Sequence, residues 1–131
     1  MIEVDIVTPS KKVVAGIKAS YLRLPSAKGE LKVLPGHTEL LTLLTTGVLG
    51  FSSDGSERRF AISYGFAEIR QDKALVLAET CEESTEIDRE RARAAQKRAE
   101  EMLSGTLTQE QFRKYELKLR RAVIRQRITQ S

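Results

Sequence analysis

The stretch EIDRERARAA, residues 86–95, holds Asp88 three places before Arg91, and Arg98 follows one heptad later. Near the end of the chain Arg121 and Arg125 stand four apart. Residues three, four or seven apart share a helix face, and a heptad spans about 10 Å of axis. If the two segments fold back on each other near residue 106, Asp88 and Arg91 lie beside roughly 121–124. One carboxylate and four guanidinium groups then converge. Left alone the arginines repel; a polyphosphate between them satisfies their charge bidentately. Asp88 is then placed to accept from an adenine amino group or to orient an arginine. A structural reading competes with this one. An acid at a helix start complements the macrodipole, and arginine-rich helices are commonly solvated.

No other residues offer catalytic chemistry. His37 is the single histidine, with neither metal-binding partners nor a recognisable nucleophile beside it. Cys81 is the single cysteine, which excludes an internal disulfide and a cysteine zinc site. It also has no neighbouring base in sequence to lower its pKa. Lys28-Gly29 does not sit in a phosphate-loop spacing. No metal site is expected.

Two kinds of element must position these groups. Residues 1–84 read as short strands between turns. IEVDIV alternates apolar and acidic residues, and KVVAGIKASYLRL follows, with Gly16 marking a bulge or bend. GVLGFSSDGSERRFAIS and FAEIRQDKALVLAE are hairpin patterns around Asp54-Gly55 and Gln71-Asp72-Lys73. From Glu86 the period changes to that of a helix. Thr85 with Asp88 resembles a capping box, and Thr108 with Gln111 repeats the pattern. Ile87, Ala92, Ala95, Ala99, Met102 and Leu103 form one stripe; Phe112, Tyr115, Leu119, Ala122 and Val123 form the second. Gly105 suits the first helix's C-terminal stop, and SGTLT is short enough for an antiparallel pair. The expectation is an all-β sandwich over 1–84 followed by an antiparallel α-helical hairpin over 85–131.

At 131 residues and 40% hydrophobic content, the chain suits a small core rather than a multidomain enzyme. LLTLLTTGVLG is too short and too polar to span a bilayer, and the opening MIEVDIVTPSKK is unlike a secretory signal. Residues 1–84 carry ten Lys or Arg against eleven Asp or Glu, whereas residues 85–131 carry twelve against seven. The hairpin therefore expects an acidic partner.

Between the strands lies GELKVLPGHTELLTLL, residues 29–44, which reads as a loop. Pro35-Gly36 turns the chain, His37 exposes its imidazole, and a Leu/Thr run re-enters the core. Together with VTPSKKV, SYGFAEI and ALVLAETCEESTEIDRERA, in that order and over essentially the full chain, this stretch resembles the epsilon subunit of F-type ATP synthase. The resemblance implies a noncatalytic central-stalk subunit of a proton-translocating synthase, peripheral on the cytoplasmic side of the cell inner membrane. Its sandwich would bind the gamma subunit and the c-ring, with Glu30 and His37 at matching interface positions. Its hairpin would either fold against the sandwich or extend along gamma toward the alpha and beta subunits and inhibit ATP hydrolysis. Lys114, Lys118, Arg120, Arg121, Arg125 and Arg127 would meet acidic surface on beta. Ile87-Asp88-x-x-Arg91-Ala92 matches the I/L-D-x-x-R-A motif of bacterial members that bind ATP in the folded hairpin, and Glu82, Arg98, Arg121 and Arg125 match as well. The resemblance thus implies ATP as a regulatory ligand, with no required cofactor. Two residues depart from the pattern: Lys32 stands where Gly is usual, and Tyr64 where Gly-Gly is common. The alternative is a cytoplasmic β-sandwich adaptor whose basic hairpin binds nucleic acid or another acidic partner; the epsilon reading expects no nucleic acid.

Overall fold

The computed structural model describes residues 1–129; positions 130 and 131 of the expected hairpin domain lie outside the described residues. Ten strands precede two helices. They are β1 (Ile2–Val7), β2 (Lys12–Ala19), β3 (Leu22–Ser26), β4 (Gly29–Val33), β5 (Leu40–Leu44), β6 (Gly47–Ser53), β7 (Ser56–Ile62), β8 (Gly65–Arg70), β9 (Lys73–Ala78) and β10 (Cys81–Glu83). A 3-10 turn at Ser84–Glu86 leads to α1 (Arg89–Leu103) and α2 (Gln109–Thr129).

The strands follow one path, β10-β7-β6-β3-β5-β8-β9-β1-β2, with β4 paired to β3. β3 and β5 meet through a single pair, Ser26 with Leu44, so the path folds into two faces of a sandwich. The apolar positions of β1 (Ile2, Val4 and Ile6) point inward and are buried, as the alternation predicts. Phe51 and Phe60 stack in the core with ring centroids 5.6 Å apart. β1 pairs parallel with β9, a long-range contact within an otherwise antiparallel arrangement.

Both hairpin patterns form. Asp54 and Gly55 carry φ of 51° and 82°, the two positive angles that a two-residue hairpin turn needs. Gln71 and Asp72 do the same at 49° and 59° without a glycine. Asp72 Oδ1 accepts from Gly36 N at 2.7 Å, which ties this turn to the Pro35-Gly36 turn.

Local expectations change in four places. KVVAGIKASYLRL is two strands rather than one. It breaks at Ser20–Tyr21, where Ser20 N donates to Ser52 Oγ at 3.2 Å, and β2 closes one end of the path while β3 lies in its middle. Residues 29–44 are strand, turn and strand rather than loop, so Glu30 lies on β4. Along β5 only Leu44 is fully buried, and Leu41 and Leu43 are each 68% exposed, because a strand sends alternate side chains to opposite faces. The N-cap of α1 is Asp88, not Thr85: Ile87 is extended, at φ −87° and ψ 126°, and interrupts the helical path.

The Thr108–Gln111 capping box is complete, with Thr108 N donating to Gln111 Oε1 at 3.0 Å and Gln111 N to Thr108 Oγ1 at 3.2 Å. α2 packs on α1 and, on another side, on β6, β7 and the 3-10 turn. Ala92, Ala99 and Ala122 are buried, small residues that let the helices approach closely. Ile128 is 2% exposed, whereas the stripe residues Met102 and Phe112 remain exposed. Burying one isoleucine contributes about 1.5–3 kcal/mol, so the far end of α2 is a substantial anchor for the hairpin.

Candidate functional site

Three elements bring the motif residues together. On β10, successive side chains diverge. Glu83 takes two hydrogen bonds from Arg58 of β7, both at 2.9 Å, while Glu82 pairs with Arg125 of α2. The Arg58 guanidinium lies 5.4 Å from the centroids of Phe51 and Phe60, so this anchor is packed as well as charged. The Arg58 hydrogen bonds hold the Glu83 carboxyl below its ordinary value against the opposing effect of desolvation. Asp88 Oδ1 accepts from Arg91 N at 3.1 Å, which starts α1 and directs the Arg91 side chain from its first turn.

The result is a cleft of about 590 Å³ lined by Glu82, Ile87, Asp88, Arg91, Ala92, Arg98 and Arg125. Of the eight expected ligand-site residues only Arg121 is missing from this wall. It lines a second cavity of about 590 Å³, which shares Ala95, Arg98 and Arg125 with the first. Sequence reasoning overlooked Glu86 and Lys97 in the first cavity and Tyr115 and Met102 in the second. Tyr115 could have been found from its spacing, since 115, 118, 121 or 122, and 125 fall on one helical stripe. Glu86 could not, because its position depends on the 3-10 turn.

The six cations expected to face the beta subunit divide. Lys114, Lys118, Arg120 and Arg127 are exposed, whereas Arg121 and Arg125 are half-buried. Lys114 and Lys118 flank the Tyr115 ring, at 5.8 and 5.3 Å from its centroid. Arg120 pairs with Glu116 at 3.2 Å.

The residues expected at the gamma and c-ring interface lie elsewhere. Arg23 Nη1 donates to Glu30 Oε1 at 2.9 Å, and Arg23 also pairs with Glu57. His37 N closes the Pro35-Gly36 turn on Leu34 O at 3.1 Å, and its Nδ1 meets Thr38 O at 2.7 Å, leaving the imidazole half-buried rather than fully exposed. Lys32 lies over the Tyr21 ring at 4.8 Å, and Tyr64 is exposed. Across β5, β8 and β9 the outward rows read Leu43–Phe66–Leu77 and Leu41–Glu68–Leu75. With Val7 opposite Leu77 on β1, they form an apolar band with a shallow hollow of about 780 Å³ along it. Cys81 is buried, and burial, followed by the charges of Glu86, Glu82 and Glu83, pushes its thiol up to about 12; it stays protonated and unreactive.

The folded architecture defines a class: a β-sandwich with an exposed apolar face, carrying a docked helical hairpin with a charged cleft. Residues 1–84 match the family model described as the ATP synthase delta/epsilon chain β-sandwich domain, and residues 85–130 match its long α-helix domain. The chain belongs to the ATP synthase delta/epsilon chain family. It is 41% identical over 128 residues to the ATP synthase epsilon chain of Geotalea uraniireducens, covering 97% of this chain and 92% of that one. It is 42% identical over 125 residues to the epsilon chain of Citrifermentans bemidjiense, covering 95% and 90%. Its fold superposes with a TM-score of 0.81 on a chain in the cryo-EM structure of Euglena gracilis mitochondrial ATP synthase, at 21% identity, covering 91% of this chain and 75% of that one.

Proposed function

We propose that the sandwich seats the chain on the gamma subunit and the c-ring, and that the hairpin regulates ATP hydrolysis in response to ATP. The apolar band on β5, β8, β9 and β1 carries the first half of this reading. Leucines exposed to 68% on two adjacent positions of one strand face lower the free energy only when a partner covers them. The band is the seat for gamma; Glu30 and His37 extend the contact toward the ring. Among the described residues no helix is long and apolar enough to cross a membrane, so membrane association comes through the complex.

In the second half, ATP occupies the hairpin cleft, with the adenine near Glu82 and Asp88 and the phosphates among the arginines. Because a ligand stabilises the state that binds it, ATP favours the docked hairpin. When ATP is scarce the hairpin extends along gamma, and its cations meet the acidic surface of the beta subunits. Docking keeps Arg125 on Glu82 and Arg121 half-buried, so the full basic face is presented only after release.

Co-purification with gamma tests the seat. Leu43→Lys replaces an exposed side chain, so the expected variant folds with stability within about 0.5 kcal/mol of the parent but no longer retains gamma. Undiminished retention would move the interface to another face.

A further inference from the structure

Four neighbouring strands, β4, β3, β6 and β7, bring one polar network to the outer face of the sandwich. In their register Glu30 stands opposite Pro25, Arg23 opposite both Lys32 and Gly50, and Glu57 opposite Ser52. Arg23 uses its two terminal nitrogens on different carboxylates. Nη1 donates to Glu30 Oε1 at 2.9 Å, and Nη2 pairs with Glu57 Oε1. The Tyr21 hydroxyl donates to Glu57 Oε2 at 2.8 Å. Against desolvation, the hydrogen bonds from Arg23 and Tyr21 hold the Glu57 carboxyl below its ordinary value, so it stays ionised at neutral pH. Lys32 turns over the Tyr21 ring and leaves Glu30 to Arg23. Gly50 makes room for the arrangement. A Cβ there would overlap Glu57 Oε1 and lie 3.1 Å from Arg23 Nη2, so a side chain at this point of β6 would push the two apart. Arg23 and Glu57 keep 33% and 28% of their side-chain exposure, whereas Glu30 keeps 60%. Exposed ion pairs contribute little to folding stability. What a fixed guanidinium fork supplies is orientation, because its donors are planar and point in set directions.

We propose that Arg23, held by Glu57 over Gly50, is a positioning residue for Glu30 and fixes that exposed carboxylate for contact with a partner. The inference rests on reading Glu30 as part of the contact with the c-ring, and adds how this chain prepares it. Oε1 is engaged by Arg23, so Oε2 is the oxygen left for a donor on the ring. A free glutamate side chain loses rotamer freedom when a partner immobilises it. Arg23 imposes that order during folding, so less is lost at docking and the contact is tighter. Tyr21 does the same for Glu57 one step further back, which makes the four side chains a relay from the interior edge of the network to its exposed end.

Binding of the catalytic head and stalk, assembled with the parent or a variant chain, to vesicles that contain the c-ring tests this. Glu30→Gln should weaken binding about tenfold, and Arg23→Gln about threefold. Gly50→Ala keeps every charge, and its Cβ meets only the ends of flexible side chains, so it should melt with the parent and weaken binding as Arg23→Gln does. With Glu30→Gln already present, neither second change should weaken binding further, because both act through Glu30. Losses that add in the double variants would show Arg23 touching the ring itself or acting through the fold, and would overturn the positioning role. Parental binding in Arg23→Gln or in Gly50→Ala, with Glu30→Gln weakened, would do the same and leave Glu30 at the interface. Parental binding in Glu30→Gln would remove Glu30 from the interface and the inference with it.

Discussion

Asp88 caps a helix and also faces the charged cleft. Its Oδ1 caps α1 through Arg91 N, and its position in the cleft leaves Oδ2 for a ligand. Substitutions separate the roles, because asparagine caps a helix about as well as aspartate while alanine costs about 1 kcal/mol. Asp88→Asn should melt with the parent, since its single carbonyl oxygen keeps the cap. That leaves only N–H donors for the ligand, so ATP affinity should fall about tenfold. Asp88→Ala should lose both cap and affinity. If calorimetry finds ATP binding intact in the asparagine variant, Asp88 is a cap and nothing more. Beside it, Glu82 and Glu83 divide the work of anchoring, one holding the helix and the other the sheet.

The hairpin is an element that two helices cannot stabilise alone, and its docking depends on the far end of α2. Ala122 allows close approach, and Ile128 supplies the largest fully buried side chain of the hairpin. Ile128→Ala removes buried surface worth roughly 2–5 kcal/mol. The expected consequence is local release rather than global unfolding, because the sandwich has its own core. Amide hydrogen exchange in α1 and α2 should accelerate while β1, β8 and β9 keep their protection. Loss of protection throughout the sandwich would show instead that the two parts fold as one cooperative unit. The helical stripes foretold Ala92, Ala99 and Ala122, but not which helix would meet the sheet. Ile128 lies beyond Val123, the last residue of the second stripe, and only the folded structure shows it buried.

For the whole molecule, the charged cleft exists only while the hairpin is docked. Its walls come from the end of the sandwich, the start of α1 and the far half of α2. Acid should act on the same junction. The folded-state pKa of Glu83 is depressed by Arg58, so the pair contributes stability above the unfolded carboxylate pKa and loses it as pH falls through the folded value. Thermal melts should therefore show Arg58→Gln less stable than the parent at neutral pH. That gap should narrow as pH falls below about 4. A constant gap would assign the effect of Arg58 to its packing on Phe51 and Phe60.

The sequence by itself determined the class of each element, because period, caps and turn residues act over a few neighbours. The alternation of IEVDIV, the Asp54-Gly55 turn and the Thr108–Gln111 box all stand in the structure as read. The residues singled out around Asp88 and Arg91 do line one cleft, with Arg125 of α2 across from them. Tertiary structure alone decided which faces close. It placed β1 parallel to β9, turned Leu41 and Leu43 outward, and set Arg121 in an adjoining cavity that shares only Arg98 and Arg125 with the other motif residues. Those outcomes depend on contacts between residues tens of positions apart, whose selection rests on the burial of the whole core rather than on any local preference.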